Sequence, residues 1–223
     1  MKSIFTENRT ALITGASAGI GFELTKLLAH KLGALIVVAR RVERLAQLAN
    51  ELQAQLPKLR VIVEAADLSD PDAVESLLRG LDAHGRTVDV LVNNAGLGEA
   101  ELFERSPWSR IREIVAVNVL AMLRLSHHLL PPMISRGHGA ILNVGSGAGY
   151  AAMPNAAVYT ASKHFVRAFT ESLRVNSLVR ELSSRKPHQA RSNLSSTKWR
   201  ESKAVPHWGK GFSGSLRRNA PLT

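Results

Sequence analysis

The chain contains no cysteine. Disulfides and thiolate zinc sites are therefore excluded, and the redox compartment is left undetermined. A long apolar run near the N-terminus is also missing: the opening MKSIFTENRT has no h-region, so no secretory leader is expected. No uncharged stretch is long enough to span a bilayer. The best candidate, Ile114 to Ile134, is interrupted by Arg124, His127, His128 and the pair Pro131-Pro132. No internal repeat is visible, and no His, Asp or Glu cluster has metal-ligand spacing, so no metal is expected. His127 and His128 are adjacent, face different sides of a helix, and read as surface or packing residues. These absences lead to the expectation of a soluble, cytoplasmic protein.

What remains is an ordinary globular composition. The 223 residues suit one domain with a real core, and 45% of them are apolar. The formal charge is +11, but it is unevenly spread. Residues 176–223 hold ten Lys and Arg against two Asp and Glu, whereas residues 1–175 hold nineteen against sixteen. The basic excess thus belongs to the tail. It carries no RNA-binding motif and no regular helical stripe, so no nucleic-acid partner is expected.

Short apolar runs alternate with amphipathic stretches. Strands are expected at Ala11–Thr14, Ala34–Ala39, Leu59–Glu64, Val88–Val92 and Gly139–Val144. Helices are expected at Ile20–Lys31, Val42–Gln55, from Asp70-Pro71-Asp72 onward, Ser109–Met133, and Ala157 to about Leu173. The acidic cap and first-turn proline at Asp70-Pro71 mark a helix start. Trp108 beside Pro107 reads as a packing residue at another. Continuous apolar strands alternating with helices imply an α/β fold: a doubly wound parallel sheet with helices on both faces and right-handed crossovers.

The first strand runs into Thr14-Gly15-Ala16-Ser17-Ala18-Gly19-Ile20-Gly21, and a helix follows. Glycines allow a tight turn and close approach of a pyrophosphate. The helix N-terminus adds free N–H groups and a positive dipole end. The second strand ends in Arg40-Arg41. An acidic residue there would hold a ribose 2′-hydroxyl, whereas a guanidinium grips a 2′-phosphate through two hydrogen bonds. NADP is therefore expected over NAD, with Arg40 as the main contact.

Further motifs follow in order: Asn93-Asn94-Ala95-Gly96 closing the fourth strand, Asn118 in the long helix, Ser146 after the fifth strand, and Tyr159-Thr160-Ala161-Ser162-Lys163. With the T-G-x-x-x-G-x-G loop, this series resembles the compact subgroup of the short-chain dehydrogenase/reductase family, from Asn8 to about Val175. The resemblance implies a Rossmann-type sheet. It also implies cofactor contacts at Gly15, Ser17, Gly19, Ile20, Gly21 and Arg40, at Asp67 and Leu68 against the adenine, and at Asn94, Ala95 and Gly96 beside the ribose and nicotinamide. Tyr159 and Lys163 complete that set. The family usually has Ser-Ser where this chain has Gly145-Ser146, a minor departure that keeps the second serine.

Reduction of a carbonyl needs a hydride at carbon and a proton at oxygen. A free tyrosine titrates near ~10 and is a poor base at neutral pH, but a nearby cation favours its phenolate. Tyr159 and Lys163 are four apart on the expected helix and so share a face. By resemblance, Tyr159 is the general acid/base and Lys163 activates it and holds the nicotinamide ribose. Ser146 donates to the substrate oxygen, and Asn118 anchors a water linking Lys163 to solvent. The implied substrate is a small-molecule carbonyl or alcohol, such as an oxoacyl compound. The implied assembly is a homodimer or homotetramer built by the long helix and the Tyr159 helix.

After Val175 the text changes. Only 13 of the last 48 residues are apolar, and the further strand and Pro-Gly loop that the family has there are missing. The chain thus divides into a 1–175 catalytic domain and a 176–223 basic tail. Two readings of that tail stand side by side: a natural disordered segment, or a segment put out of frame by loss of one base just after the Val175 codon. In the restored frame Asn176-Ser177-Leu178 becomes Glu-Leu-Ala, Glu181–Ser184 can become a Val/Ile run, and His188–Ala190 can supply Pro-Gly. Two functional readings follow: an NADP-dependent carbonyl or alcohol oxidoreductase, or a catalytically impaired NADP-binding protein lacking part of its nicotinamide pocket.

Overall fold

The computed structural model describes residues 4–98 and 100–184, with side chains through 176. The chain divides into two units after Asn176. The first holds the entire sheet. Of the second, only helical backbone over 177–184 is described.

Five strands form one parallel sheet: β1 (Thr10–Thr14), β2 (Ala34–Ala39), β3 (Arg60–Ala65), β4 (Val90–Asn93) and β5 (Ala140–Asn143). Their order is β3-β2-β1-β4-β5. The chain winds outward from β1 in one direction, then returns to its other side with β4. That reversal opens a crevice at the carboxyl ends of β1 and β4.

Alternation along each strand sends side chains to two cores. On one face Leu12, Ile36, Val38 and Leu91 meet α3 (Pro71–Ala83) and α5 (Met122–Ser135), through residues such as Leu78, Leu81, Leu125 and Leu129. On the other face Ala11, Ile13, Leu35, Val37 and Val92 meet α1 (Gly19–Ala29) and α2 (Val42–Gln55), through Ala29, Leu45, Leu48 and Leu52. The sheet is therefore covered on both sides, as its unbroken apolar strands require. Asp70 caps α3 by accepting a hydrogen bond from the Asp72 N–H, with Pro71 in the first turn.

Three features differ from the sequence-based expectation. The long helix is not uniform: α4 (Trp108–Val115) and α5 are joined by a wide, π-helical turn at Ala116–Ala121. Such turns insert a residue into the ladder and commonly mark functional positions. Trp108 does begin α4, but its side chain is 69% exposed rather than packed. The inward stripe of this helix starts at Ile111 and Ile114. The last helix, α6 (Ala157–Ser184), runs well past Leu173.

By length and composition alone, the stretch Trp108–Ser135 is apolar enough to cross a membrane. Its Ile114, Val117, Ala121, Leu125, Leu129 and Met133 are instead buried within the protein's own core.

Candidate active site

The loop after β1 owes its shape to two glycines. Gly15 has φ +68°, a conformation other residues rarely adopt. At Gly21 a Cβ would lie 2.3 Å from Asn94 Nδ2 and 2.4 Å from the Gly15 carbonyl oxygen, so no side chain fits. Asn94 locks the loop to the end of β4: its Nδ2 donates to the Thr14 and Gly15 carbonyls at 2.9 and 3.3 Å. Thr14 Oγ1 returns the tie by accepting from the N–H groups of Asn94 and Ala95, both at 3.0 Å. Gly19, φ +57°, has open space where a Cβ would stand. It begins α1, whose N-cap Ala18 provides no side-chain acceptor. The N-cap side chain therefore satisfies none of the first N–H groups of α1, an arrangement that anion-binding helix starts use.

This loop forms the middle of a cleft of about 620 Å³. Gly15, Ser17, Ile20, Arg40, Asp67, Leu68, Asn94, Ala95, Gly96, Tyr159 and Lys163 line it. Gly19, Gly21, Asn118 and Ser146 are not among its lining residues. Gly21 serves packing within the loop, and Asn118 is buried behind the wall. Sequence reasoning passed over Val117, Val144 and Gly98, which do line the cleft, and ranked Arg41 behind Arg40. Nothing in their local sequence sets these apolar or small residues apart. Arg41 was visible as a basic neighbour, but its partner was not: Nη2 donates to Ser17 Oγ at 3.1 Å.

At the β2 end of the cleft, Arg40 Nη1 lies 3.2 Å from Glu113 Oε1 and 3.8 Å from Asp67 Oδ2. Burial opposes ionisation of Asp67. Hydrogen bonds from the Ser69 N–H and hydroxyl, together with the Arg40 charge, outweigh it and hold the carboxyl below its usual range.

At the other end stand Tyr159 and Lys163, one turn apart on α6. Lys163 is buried, and its Nζ donates to the Val144 carbonyl at 3.0 Å and lies 5.9 Å from the Tyr159 ring centre. Burial pushes this ammonium below the ordinary lysine range. Gly96 brings the β4 loop against it: a Cβ there would be 3.5 Å from Lys163 Nζ and 3.4 Å from Asn118 Oδ1.

Asn118 sits in the π-turn and joins three elements. Its Oδ1 accepts from the Leu97 N–H at 2.8 Å, and Nδ2 donates to the Leu97 carbonyl at 3.0 Å and to Ser162 Oγ at 2.9 Å. Both amide hydrogens are engaged, so the side chain braces the β4 loop against α6. Ser146, half-buried after β5, accepts from the Ala148 N–H at 3.1 Å. That role leaves its hydroxyl hydrogen to donate.

The short chain dehydrogenase family model matches residues 9–182. An uncharacterized oxidoreductase of Myxococcus xanthus is 38% identical over 170 residues, covering 75% of this chain and 66% of its own. A sulfoacetaldehyde reductase of Chromohalobacter salexigens is 38% identical over 175 residues, covering 74% of this chain and 65% of its own. Among solved structures, a short-chain dehydrogenase from Sphingobium yanoikuyae in complex with NADPH superposes with a TM-score of 0.72 at 32% identity. That match covers 76% of this chain and 66% of the other. The chain thus spans about two thirds of the length of these relatives.

Proposed function

The chain belongs to the short chain dehydrogenase family, and from that membership we propose that it is an NADP-dependent oxidoreductase interconverting a carbonyl and an alcohol. The observation that carries this reading is the single cleft with guanidinium groups at one end and the Tyr159–Lys163 pair at the other, joined by the glycine loop. That sequence of groups matches a dinucleotide laid out from adenosine phosphate to nicotinamide.

The residues fit such a cofactor. Gly15, Ser17, Gly19, Ile20 and the α1 N-terminus would take the pyrophosphate, and Asp67 and Leu68 the adenosine. Arg40 and Arg41 would take the 2′-phosphate, and Asn94, Ala95, Gly96 and Lys163 the nicotinamide riboside. When bound, NADP(H) supplies or accepts the hydride.

The protein's part is proton handling and orientation. Tyr159 gives its hydroxyl proton to the substrate oxygen during reduction and takes it back during oxidation. Lys163, held by the Val144 carbonyl, presents positive charge on the same helical face and stabilises the phenolate. Ser146 donates a second hydrogen bond to the oxygen. Asn118 keeps the Gly96–Leu97 loop and α6 in register, so the two walls of the nicotinamide end stay aligned. The implied water relay from Lys163 to solvent cannot draw on the Asn118 amide hydrogens, which are both engaged.

The substrate class is a small to medium carbonyl compound. A homodimer or homotetramer fits the apolar groove along α5 and α6, lined by Leu120, Leu123, Leu130, Phe169 and Leu173. NADPH oxidation against a panel of aldehydes, ketones and oxoacyl esters tests the reading. Turnover cut by about 10²-fold or more in Tyr159→Phe is the expected result. One observation favours the second reading, a cofactor binder with impaired chemistry: the match to this chain takes in only about two thirds of its relatives' length. NADPH binding without turnover on the whole panel would decide for it.

A further inference from the structure

The adenosine end of the cleft holds more charge than a phosphate seat requires. Arg41 is braced by Ser17 Oγ at 3.1 Å. Arg40 Nη1 is claimed from two sides, by Glu113 Oε1 at 3.2 Å and Asp67 Oδ2 at 3.8 Å. Glu113 is itself fixed: its Oε2 accepts from Arg110 Nη1 at 2.7 Å, and Arg110 Nη2 donates to the Gly98 carbonyl at 2.8 Å. The series Arg40–Glu113–Arg110–Gly98 therefore straps the β2–α2 turn to α4 and to the β4 loop beside the cleft, which Arg40 and Gly98 both line.

A 2′-phosphate seated by Arg40 would enter beside this strap. It would compete with Glu113 for the same guanidinium nitrogen and feel the repulsion of its carboxylate. A 2′-hydroxyl meets neither obstacle and can donate to a nearby carboxylate. Glu113 and Arg40 are 27% and 55% exposed, so solvent moderates the effect without cancelling it.

We propose that Glu113 is a specificity-determining residue: by sharing Arg40 with the incoming nucleotide, it lowers the preference for 2′-phosphorylated over unphosphorylated dinucleotide. The proposal rests on the NADP reading above and adds a residue on α4, outside the β2–α2 turn, to the control of cofactor choice. Asp67 is a weaker candidate for the same role, because Ser69 already occupies its Oδ1 twice and its approach to Arg40 is longer.

The test is direct fluorescence titration of the full chain with NADPH and with NADH. Glu113→Gln keeps the length of the side chain and its hydrogen-bonding ability but removes the charge. It should raise the NADPH-to-NADH affinity ratio by about threefold to tenfold, more at low salt than at high salt. In an Arg40→Ala background the same change should move the ratio by less than about twofold, since the shared cation is gone. A ratio that is unchanged or lowered by Glu113→Gln overturns the proposal, as does an equal rise in both backgrounds. A parent chain that prefers NADH, yet shifts as described, refutes the NADP reading while upholding the role of Glu113. A parent that binds neither nucleotide overturns both.

Discussion

A phenol and an ammonium one helical turn apart carry the chemistry proposed for this protein, and each can be tested alone. Tyr159→Phe removes only the proton that the reaction needs. It should lower kcat by about 10²- to 10⁴-fold while NADPH binding is retained. Loss of nucleotide binding in that variant would mean that the tyrosine holds the fold or the cofactor and not the proton. Lys163 makes a different prediction. Burial lowers its pKa in the folded chain, so the unfolded chain binds that proton more tightly. Stability from this group therefore rises with pH from the folded value up to the ordinary value near ~10.4, and below that interval the charged ammonium carries a penalty. Lys163→Met should abolish turnover yet melt at or above the parent's temperature at pH 7, and the difference between the two should shrink as pH approaches 10. A variant melting well below the parent at pH 7 would show that the bond to the Val144 carbonyl outweighs the desolvation. Such a site trades stability for function.

The elements were legible wherever a local pattern encodes them. The five apolar runs became the five strands, because a strand covered on both faces has no polar alternative. Asp70-Pro71 marked the start of α3, because an acidic cap and a first-turn proline act within a few residues. What escaped notice depends on distant partners. The π-turn at Ala116–Ala121 has no composition of its own, and its purpose shows only in the Asn118 bonds to Leu97 and Ser162. The Arg40–Glu113 pair joins residues 73 apart, so the sequence presented Arg40 as free for phosphate. Gly21 was legible as a glycine of the phosphate loop, but the reason for it lies in Asn94 and in the Gly15 carbonyl, not in the cleft lining. This makes it an element-level test. Gly21→Ala must displace α1 from β4, and it should cost about 1–3 kcal/mol in urea unfolding and weaken NADPH binding together with stability. A stable variant with impaired binding would return Gly21 to direct phosphate contact.

At the scale of the molecule, the sheet is asymmetric. β4 is buried along its whole length, whereas its neighbour β5 is only partly covered and Leu142 is 48% exposed. Among the described residues no strand pairs with the outer edge of β5. An apolar edge of this kind favours association with other chains unless something covers it. The codon reading supplies a candidate for what is missing: one base restored after the Val175 codon writes an apolar run and then Pro-Gly in place of the basic text after residue 175. Most of the segment concerned, 185–223, lies outside the described residues, so the test belongs to the gene and the repaired product. Sequencing around codon 175 should reveal the lost base relative to an intact sibling copy. The chain made from the repaired frame should then show slower hydrogen exchange at the amides of Ile141 and Asn143, which alternate with the β4-bonded amides of Ala140 and Val144, because a sixth strand would take up the edge groups that now face outward. It should also melt higher and turn over carbonyl substrates faster than the present chain. A gene that reads without ambiguity in the present frame, with a product of this length found in cells, would refute the lost base. The basic tail would then be the protein's own, and the cofactor-binding reading would gain over the catalytic one, since the proton-handling residues would work without the segment that relatives place beyond them.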